Sequence, residues 1–357
     1  MTSVSPGLRR ELLRQHSIKV IRQGQTPEGA YLAAPTFPTY RYSWFRDGSF
    51  IAEAMDANGL QDSAAAFHDW VVTVLDAELA SVATDGGVLH TRYLPDGSHG
   101  SEEWPNFQLD GFGTWLWAYA RHVERAGYAP GTRALAVVTR LADHLAERWS
   151  RPNFDCWEEH QTEVHPSTLG ALYAGFSAAS VLLGDRYYQG VAHAVRSYLL
   201  EHGTNKDAEE HYFTKHIGSN AVDANLLWLA LPYGVVDVAD PVFVATVAKV
   251  QRDLHDPAGG VHRYVKDTYY GGGSWLLLTA DLAQVHLALG QRQEAERLLS
   301  WIEAQADPNG DMPEQVATHI NDATYLPHWE KTWGTSAKPL LWSHAAYLRL
   351  LAAWAEA

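Results

Sequence analysis

The sequence predicts an all-α protein, an (α/α)6 barrel of six helical hairpins closed into a toroid, with long loops at one face. Three observations predict it. Apolar residues recur at helical spacing in twelve segments, the connections between segments alternate between short and long, and even-numbered segments contain runs almost free of charge.

The segments lie near 6–22, 47–58, 60–79, 110–127, 131–149, 166–184, 186–203, 219–231, 239–254, 274–289, 291–305 and 338–355. Asp62-Ser63 opens the third, and Gly59, Gly184, Gly203 and Gly290 stand at helix stops. The even-numbered segments are the inner ones. Trp115-Leu116-Trp117-Ala118-Tyr119 and Trp275-Leu276-Leu277-Leu278 must be buried on most sides. Strand alternation is scarce, with Gly87-Val88-Leu89-His90-Thr91 the best candidate for a short hairpin.

Short connections are Gly59-Leu60-Gln61, Gly127-Tyr128-Ala129-Pro130, Gly184-Asp185, Tyr233-Gly234-Val235 and Gly290-Gln291. Long ones occupy about 23–46, 80–109, 150–165, 204–218, 255–273 and 306–337. Loops of that length in a compact domain usually carry function. An open solenoid of helix pairs would need a repeat period, and no repeated motif is found beyond a loose Gly-turn-Ala pattern. The closed ring is therefore preferred, with residues 1–357 as a single catalytic domain.

Bulk composition narrows the function. A net charge of −15 and the lack of any Lys/Arg run argue against nucleic acid and anionic membrane. With 46% hydrophobic residues, 14 Trp and 17 Tyr, a large core leaves aromatics over for a cleft. One cysteine, Cys156, excludes an internal disulfide and suits a reducing compartment. Met1 to Gln23 is polar and lacks a signal's apolar region. No stretch is expected to reach the ~18 apolar residues of a membrane span, so a cytoplasmic protein is expected.

The long loops hold the chemistry. The first carries Tyr40-Arg41-Tyr42-Ser43-Trp44-Phe45-Arg46-Asp47, and the second Trp104-Pro105-Asn106-Phe107-Gln108-Leu109-Asp110. Asp155-Cys156-Trp157-Glu158-Glu159-His160 lies in the third, and His211-Tyr212-Phe213 with Lys215 in the fourth. The fifth runs from Gly260 through Arg263-Tyr264 and Asp267 to Tyr269, Gly271-Gly272-Gly273 and Trp275; the sixth holds Asn309-Gly310-Asp311-Met312-Pro313-Glu314-Gln315. Aromatic faces suit the apolar face of a pyranose, and carboxylate, guanidinium and amide groups suit its hydroxyls. A Glu-Glu pair alone usually means a solvated surface; here the pair keeps carbohydrate-binding company.

Other chemistries fit less well. Gly271-Gly272-Gly273 precedes a helix but lacks the Lys of a phosphate loop, and reads as close backbone approach. The 18 histidines include His160/His165 and His211/His216, five apart on loops, without a His-Glu-x-x-His pattern. Scattered polar or core histidines are preferred, so no metal or other cofactor is expected. No Gly-x-Ser-x-Gly elbow supports a serine nucleophile.

In that order these motifs resemble glycoside hydrolase family 15, the glucoamylase and glucodextranase family, whose catalytic domain is a ring of six helical hairpins. Tyr40 and Trp44-Phe45-Arg46-Asp47 match the family's Tyr…Trp-x-Arg-Asp segment, which lines the pocket and grips the terminal glucose. Trp104, Gln108 and Asp110 match the segment beside the acid. Trp157-Glu158-Glu159 matches the general-acid motif, with Glu158 as acid and Glu159 as a substrate-binding neighbour. Arg263-Tyr264, Asp267, Tyr269, Gly272 and Trp275 match a signature whose Arg hydrogen-bonds sugar; Glu314-Gln315 matches the general-base motif, and Leu340-Leu341-Trp342-Ser343-His344-Ala345 the last-helix signature. The chain departs from many bacterial members in beginning almost at the ring, without a β-sandwich or starch-binding module. Within the family it resembles bacterial stand-alone rings that cut α-1,6-linked glucose from short chains such as isomaltose.

The resemblance implies inverting, exo-acting hydrolysis of short α-gluco-oligosaccharides. Glu158 would protonate the glycosidic oxygen and Glu314 would activate water, with the carboxyls ~6.5–9.5 Å apart. Tyr40, Trp44, Arg46, Asp47, Trp104, Gln108, Trp157, Glu159, Arg263 and Trp275 would bind substrate. Glucoamylase or trehalase action on α-1,4 or α,α-1,1 bonds, and a non-catalytic sugar-binding toroid, are the alternatives. Apolar packing by Trp157 is expected to keep Glu158 protonated.

Overall fold

The computed structural model describes residues 6–85, 87–206 and 210–357. Residues 1–5 of the N-terminal segment and 207–209 of the fourth long loop, both read above, lie outside the described residues. The α-helices are α1 Pro6–Gly24, α2 Phe45–Ala57, α3 Gln61–Asp85, α4 Asp110–Ala126, α5 Thr132–Ala146 and α6 Pro166–Leu183. They continue as α7 Arg186–His202, α8 Pro241–Leu254, α9 Leu276–Ala288, α10 Arg292–Gln305, α11 Leu326–Trp333 and α12 Leu341–Glu356.

The ring closes through its inner members. α2 packs on α4, α4 on α6, α6 on a 3-10 turn at Ala224–Leu229, that turn on α9, α9 on α12, and α12 back on α2. Outside them, α1 packs on α12, α3 on α2, α7 on α6, α8 on the 3-10 turn and α10 on α9. The closest inner approach is between α4 and α6. A side chain at Gly113 would sit 2.6 Å from the Ala171 carbonyl, and one at Gly175 would sit 2.8 Å from Gly113 Cα. Only glycine lets these two backbones meet.

Two elements differ from the sequence reading. The segment 219–231 is helical only as the 3-10 turn Ala224–Leu229, started by Asp223, whose side chain accepts from Asn225 N. Pro232 follows closely, with no N–H to extend a helix. The loop 306–337 in turn contains α11, read from sequence as loop. Ends elsewhere follow the expected chemistry: α6 stops at Gly184 in the left-handed region, φ +64°, and Asp185 caps α7 through Tyr187 N.

The strands are short. β1 Ser43–Trp44 pairs antiparallel with β2 Arg92–Tyr93. Residues 87–91 form no hairpin, because the chain pairs one step later with the first loop. β3 Val261–His262, β4 Ser274–Trp275 and β5 Gln315–Val316 form an antiparallel sheet in that order. These sheets tie the first loop to the second and the fifth to the sixth.

An aromatic plug fills the ring's centre. Phe50 of α2 stacks on Trp342 of α12 at 5.2 Å between ring centroids and meets Trp228 at 5.5 Å. Burying an aromatic of this size stabilises by roughly 1.5–3 kcal/mol. α6 carries no charged residue and passes, by length and composition, as a membrane span, which the sequence reading overlooked. It is an inner helix, 61% buried within the protein.

Candidate active site

A cavity of about 410 Å3 opens above the aromatic plug, at the ring face where the long loops gather. Both candidate catalytic carboxylates, Glu158 and Glu314, line it. So do Tyr40, Trp44, Arg46, Asp47, Trp104, Trp157, Glu159, Arg263 and Trp275. Gln108 alone of the expected residues stands behind the wall rather than in it.

Glu158 sits at φ +67°, a conformation that costs a non-glycine residue about 1–3 kcal/mol. The turn around it is held by Asp155, whose Oδ1 accepts from Trp157 N and Glu159 N, each at 2.9 Å. Asp155 Oδ2 in turn meets Lys215 Nζ at 3.3 Å, and Lys215 binds Asp223 Oδ2 at 2.7 Å. Burial alone would push the Lys215 pKa down, but Asp223 and Asp155 hold it above the ordinary lysine value. Trp157 donates its indole N–H to the same Asp223. The loop that carries Glu158 is thus anchored by a buried lysine between two carboxylates. Lys215 was quoted from the sequence as a loop residue and given no role.

Three donors converge on one oxygen of Glu158. Trp44 Nε1 and Trp104 Nε1 each donate to Oε1 at 2.8 Å, and Gln108 Nε2 donates at 3.1 Å. No described residue shows a hydrogen bond to Oε2. A proton on this carboxyl therefore belongs on Oε2, since Oε1 is committed to accepting. The sequence reading assigned Trp157 to tune Glu158 by apolar packing. The polar edges of Trp44 and Trp104 address Glu158, while the polar edge of Trp157 serves Asp223. Arg92, unremarked in the sequence, lies 3.5 Å over the Trp104 ring and sets that indole.

Glu314 is 3% exposed and immediately precedes β5. Its backbone N–H donates to the Ala337 carbonyl at 2.9 Å, and Ser336 Oγ donates to its Oε2 at 3.2 Å. Burial pushes its pKa up to about 7, opposed by Arg263 and by hydrogen bonds from Tyr40, Ser336 and Gln315. The Tyr40 hydroxyl also meets the Tyr269 hydroxyl at 2.5 Å.

On the opposite wall, Arg46 Nη1 binds Gln108 Oε1 at 2.9 Å and Asp110 Oδ2 at 3.1 Å. Asp47 lies 3.7 Å from Arg46 Nε and shows no hydrogen bond to another described residue. Burial raises its pKa to about 7, with Arg46 opposing and Glu158 adding to the rise. Asp47 therefore offers an acceptor to the cavity, while Arg46 is engaged by Gln108 and Asp110 through Nη1 and keeps a buried Nε without a hydrogen-bond partner among the described residues.

Arg263 is gripped by Asp267 through Nε and Nη2, and its Nη2 reaches Glu159 Oε1 at 3.4 Å. Tyr264 donates to the other Glu159 oxygen. Gly272 and Gly273 permit the strands to close here: a side chain on Gly273 would lie 2.5 Å from the Val316 carbonyl. Close backbone approach was the reading of this triglycine.

Sequence reasoning missed the rim. Trp329 and Trp333 of α11 line the cavity, and Trp329 donates to the Thr268 carbonyl at 2.9 Å. Their spacing of four residues, with Leu326 one turn earlier, was the available signal. The floor includes Trp342, which was quoted only within the last-helix signature. Asp155, Glu159 and His160 bring ligand atoms within 4.8 Å of one another. Asp155 and Glu159 are already committed to Lys215, Arg263 and Tyr264.

The family model described as Glycosyl hydrolases family 15 matches residues 7–352. Isomaltose glucohydrolase of Kribbella flavida is 42% identical, over 95% of this chain and 91% of that protein. A glycosidase solved in complex with glucose is 39% identical, with a TM-score of 0.91 and 99% of each chain covered. A bacterial glucoamylase solved with acarbose shares the fold at a TM-score of 0.76 and 22% identity, covering 95% of this chain and 55% of that one.

Proposed function

The chain belongs to glycosyl hydrolase family 15 and is a glycoside hydrolase; from that premise we propose an inverting exo-α-glucosidase that releases β-glucose from short α-1,6-linked gluco-oligosaccharides such as isomaltose. The linkage is supported by the isomaltose glucohydrolase relative, matched over nearly its whole length. Residues 1–357 act in this reading as one catalytic unit.

The observation that carries the mechanism is the one-sided engagement of Glu158. With Oε1 taken by Trp44, Trp104 and Gln108, Glu158 presents a protonated Oε2 to the glycosidic oxygen as general acid. Glu314, once ionised, takes a proton from water that attacks the anomeric carbon from the opposite face. The glycosidic bond breaks as the water oxygen bonds to that carbon, and the departing sugar leaves with the Glu158 proton. Inversion needs room for that water, a separation of ~6.5–9.5 Å between carboxyls.

Asp47 accepts from hydroxyls of the terminal glucose, and Arg46, Gln108 and Asp110 hold the wall behind it. Glu159 and Arg263 serve the sugar from the other side, while Tyr40, Trp44, Trp104, Trp157 and Trp275 supply the aromatic surface. Proton NMR during turnover of isomaltose tests the reading: β-glucose must appear before mutarotation, and no turnover of any α-glucoside would overturn it.

A further inference from the structure

At the ring end opposite the cavity lies a buried group that the proposed reaction does not use. Asp56 is the penultimate residue of α2, His68 lies on α3 and His122 near the end of α4. Their exposures are 3%, 1% and 1%, and one ligand atom from each lies within 4.8 Å of the other two. His122 Nδ1 meets Asp56 Oδ2 at 2.9 Å. Both ring nitrogens of His68, and Nε2 of His122, are buried with no hydrogen-bond partner among the described residues. Buried polar atoms left unpaired are costly, so an orphan nitrogen on each of two neighbouring imidazoles needs a reason. The His68 and His122 rings lie 5.0 Å apart, with Tyr119 and Tyr128 against them. Asp47 and Asp56 are nine residues apart on one helix, which places the cluster about 14 Å from the sugar wall.

We propose that Asp56, His68 and His122 bind one divalent transition-metal ion of the zinc class, as a structural clamp on α2, α3 and α4. Two imidazoles with one carboxylate suit Zn2+, Co2+ or Ni2+, whereas Mg2+ and Ca2+ want oxygen donors. Three protein ligands leave a tetrahedral ion one position for water. The ligands come from both helices of the first hairpin and the inner helix of the second. Binding therefore favours the folded ring by mass action and takes no part in hydrolysis.

The test uses the full chain, stripped with a chelator and then incubated with ZnCl2. Elemental analysis after desalting is expected to give one zinc per chain, and the melting temperature should rise with free Zn2+. Co2+ in its place should give a tetrahedral d–d absorption. Asp56→Asn, which keeps a hydrogen-bond partner for His122, and His68→Gln should each lose the zinc-dependent rise while retaining isomaltose turnover. Folded wild-type protein that takes up no zinc overturns the proposal. So does zinc retained by both variants, or zinc lost on His160→Gln alone, which would place the ion at the cavity wall.

Discussion

The Gln108 side chain binds Arg46 and Glu158 at once, accepting from Arg46 Nη1 at 2.9 Å and donating to Glu158 Oε1 at 3.1 Å. The cavity wall at Arg46 and the Glu158 carboxyl therefore share one amide, which also donates to the Pro105 carbonyl. Gln108→Leu removes a donor from Oε1 and a partner from Arg46 together. Turnover of isomaltose is expected to fall about tenfold to a hundredfold, the equivalent of about 1.4–2.8 kcal/mol, with KM changed less. A KM effect larger than the kcat effect would assign Gln108 to sugar binding instead.

Glu314 couples activity to stability with opposite signs. Its folded pKa of about 7 exceeds its ordinary value of 4.5, so the folded state binds more protons between those pH values. Its contribution to stability is full below pH 4.5 and is lost as pH rises through 7. Glu314→Gln should therefore raise stability at pH 8, by about 1–3 kcal/mol, while abolishing turnover. Wild-type kcat/KM should rise with pH through the same region, since the base works ionised. A melting temperature lowered at pH 8 by this substitution would mean that Glu314 is held by partners rather than penalised by burial.

Lys215 lies between Asp155 and Asp223 and is 5% exposed. Lys215→Met would strand two buried carboxylates, and breaking such a network by one partner costs about 3–5 kcal/mol. Because Asp155 also shapes the turn at Glu158, kcat should fall even where the protein remains folded. Double substitution with Asp223→Asn should recover part of the stability. Chemical denaturation of the three proteins checks both statements.

The ring itself was legible because it is written in hydrophobic period. Eleven of the twelve expected segments are α-helices. The 3-10 turn at Ala224–Leu229 escaped because its apolar run is shaped by Asp223 and Pro232 rather than by period. α11 escaped because it packs through Trp329 and Trp333 on Tyr269, from another loop. The site was legible as residue types but not as contacts. Nothing local to Trp44, Trp104 or Gln108 says that all three aim at one oxygen. Only the folded loops put Arg92 over Trp104 or pair Arg263 with Asp267 and Glu159.

Asp47 has no hydrogen bond to another described residue, and burial raises its pKa to about 7. Asp47→Asn should weaken both binding and rate by removing a charge-assisted acceptor worth roughly 1.5–3 kcal/mol. Arg46→Ala should act differently from Asp47→Asn, because Arg46 mainly supports Gln108 and Asp110. Its loss should lower the melting temperature as well as the rate. Calorimetric glucose binding by the two variants separates the roles: weakened binding without a lowered melting temperature is expected of Asp47→Asn alone.

The cavity floor decides what kind of chain end can enter. Trp342 lines the cavity and stacks on Phe50, which also meets Trp228, so no channel for a threaded polymer continues through the ring at these rings. A substrate must therefore enter end-first, releasing one glucose per event from the non-reducing end. Trp329 and Trp333 line the cavity rim, so a leaving sugar would meet them and units beyond it would project toward water with little added contact. Rates on isomaltose, isomaltotriose and dextran should fall in that order per chain end. The first product from each should be β-glucose, because single displacement inverts an α-linked carbon. Time-resolved proton NMR reads both quantities. An early α-anomer signal would reject single displacement, and oligosaccharides cut from within dextran would reject the closed floor.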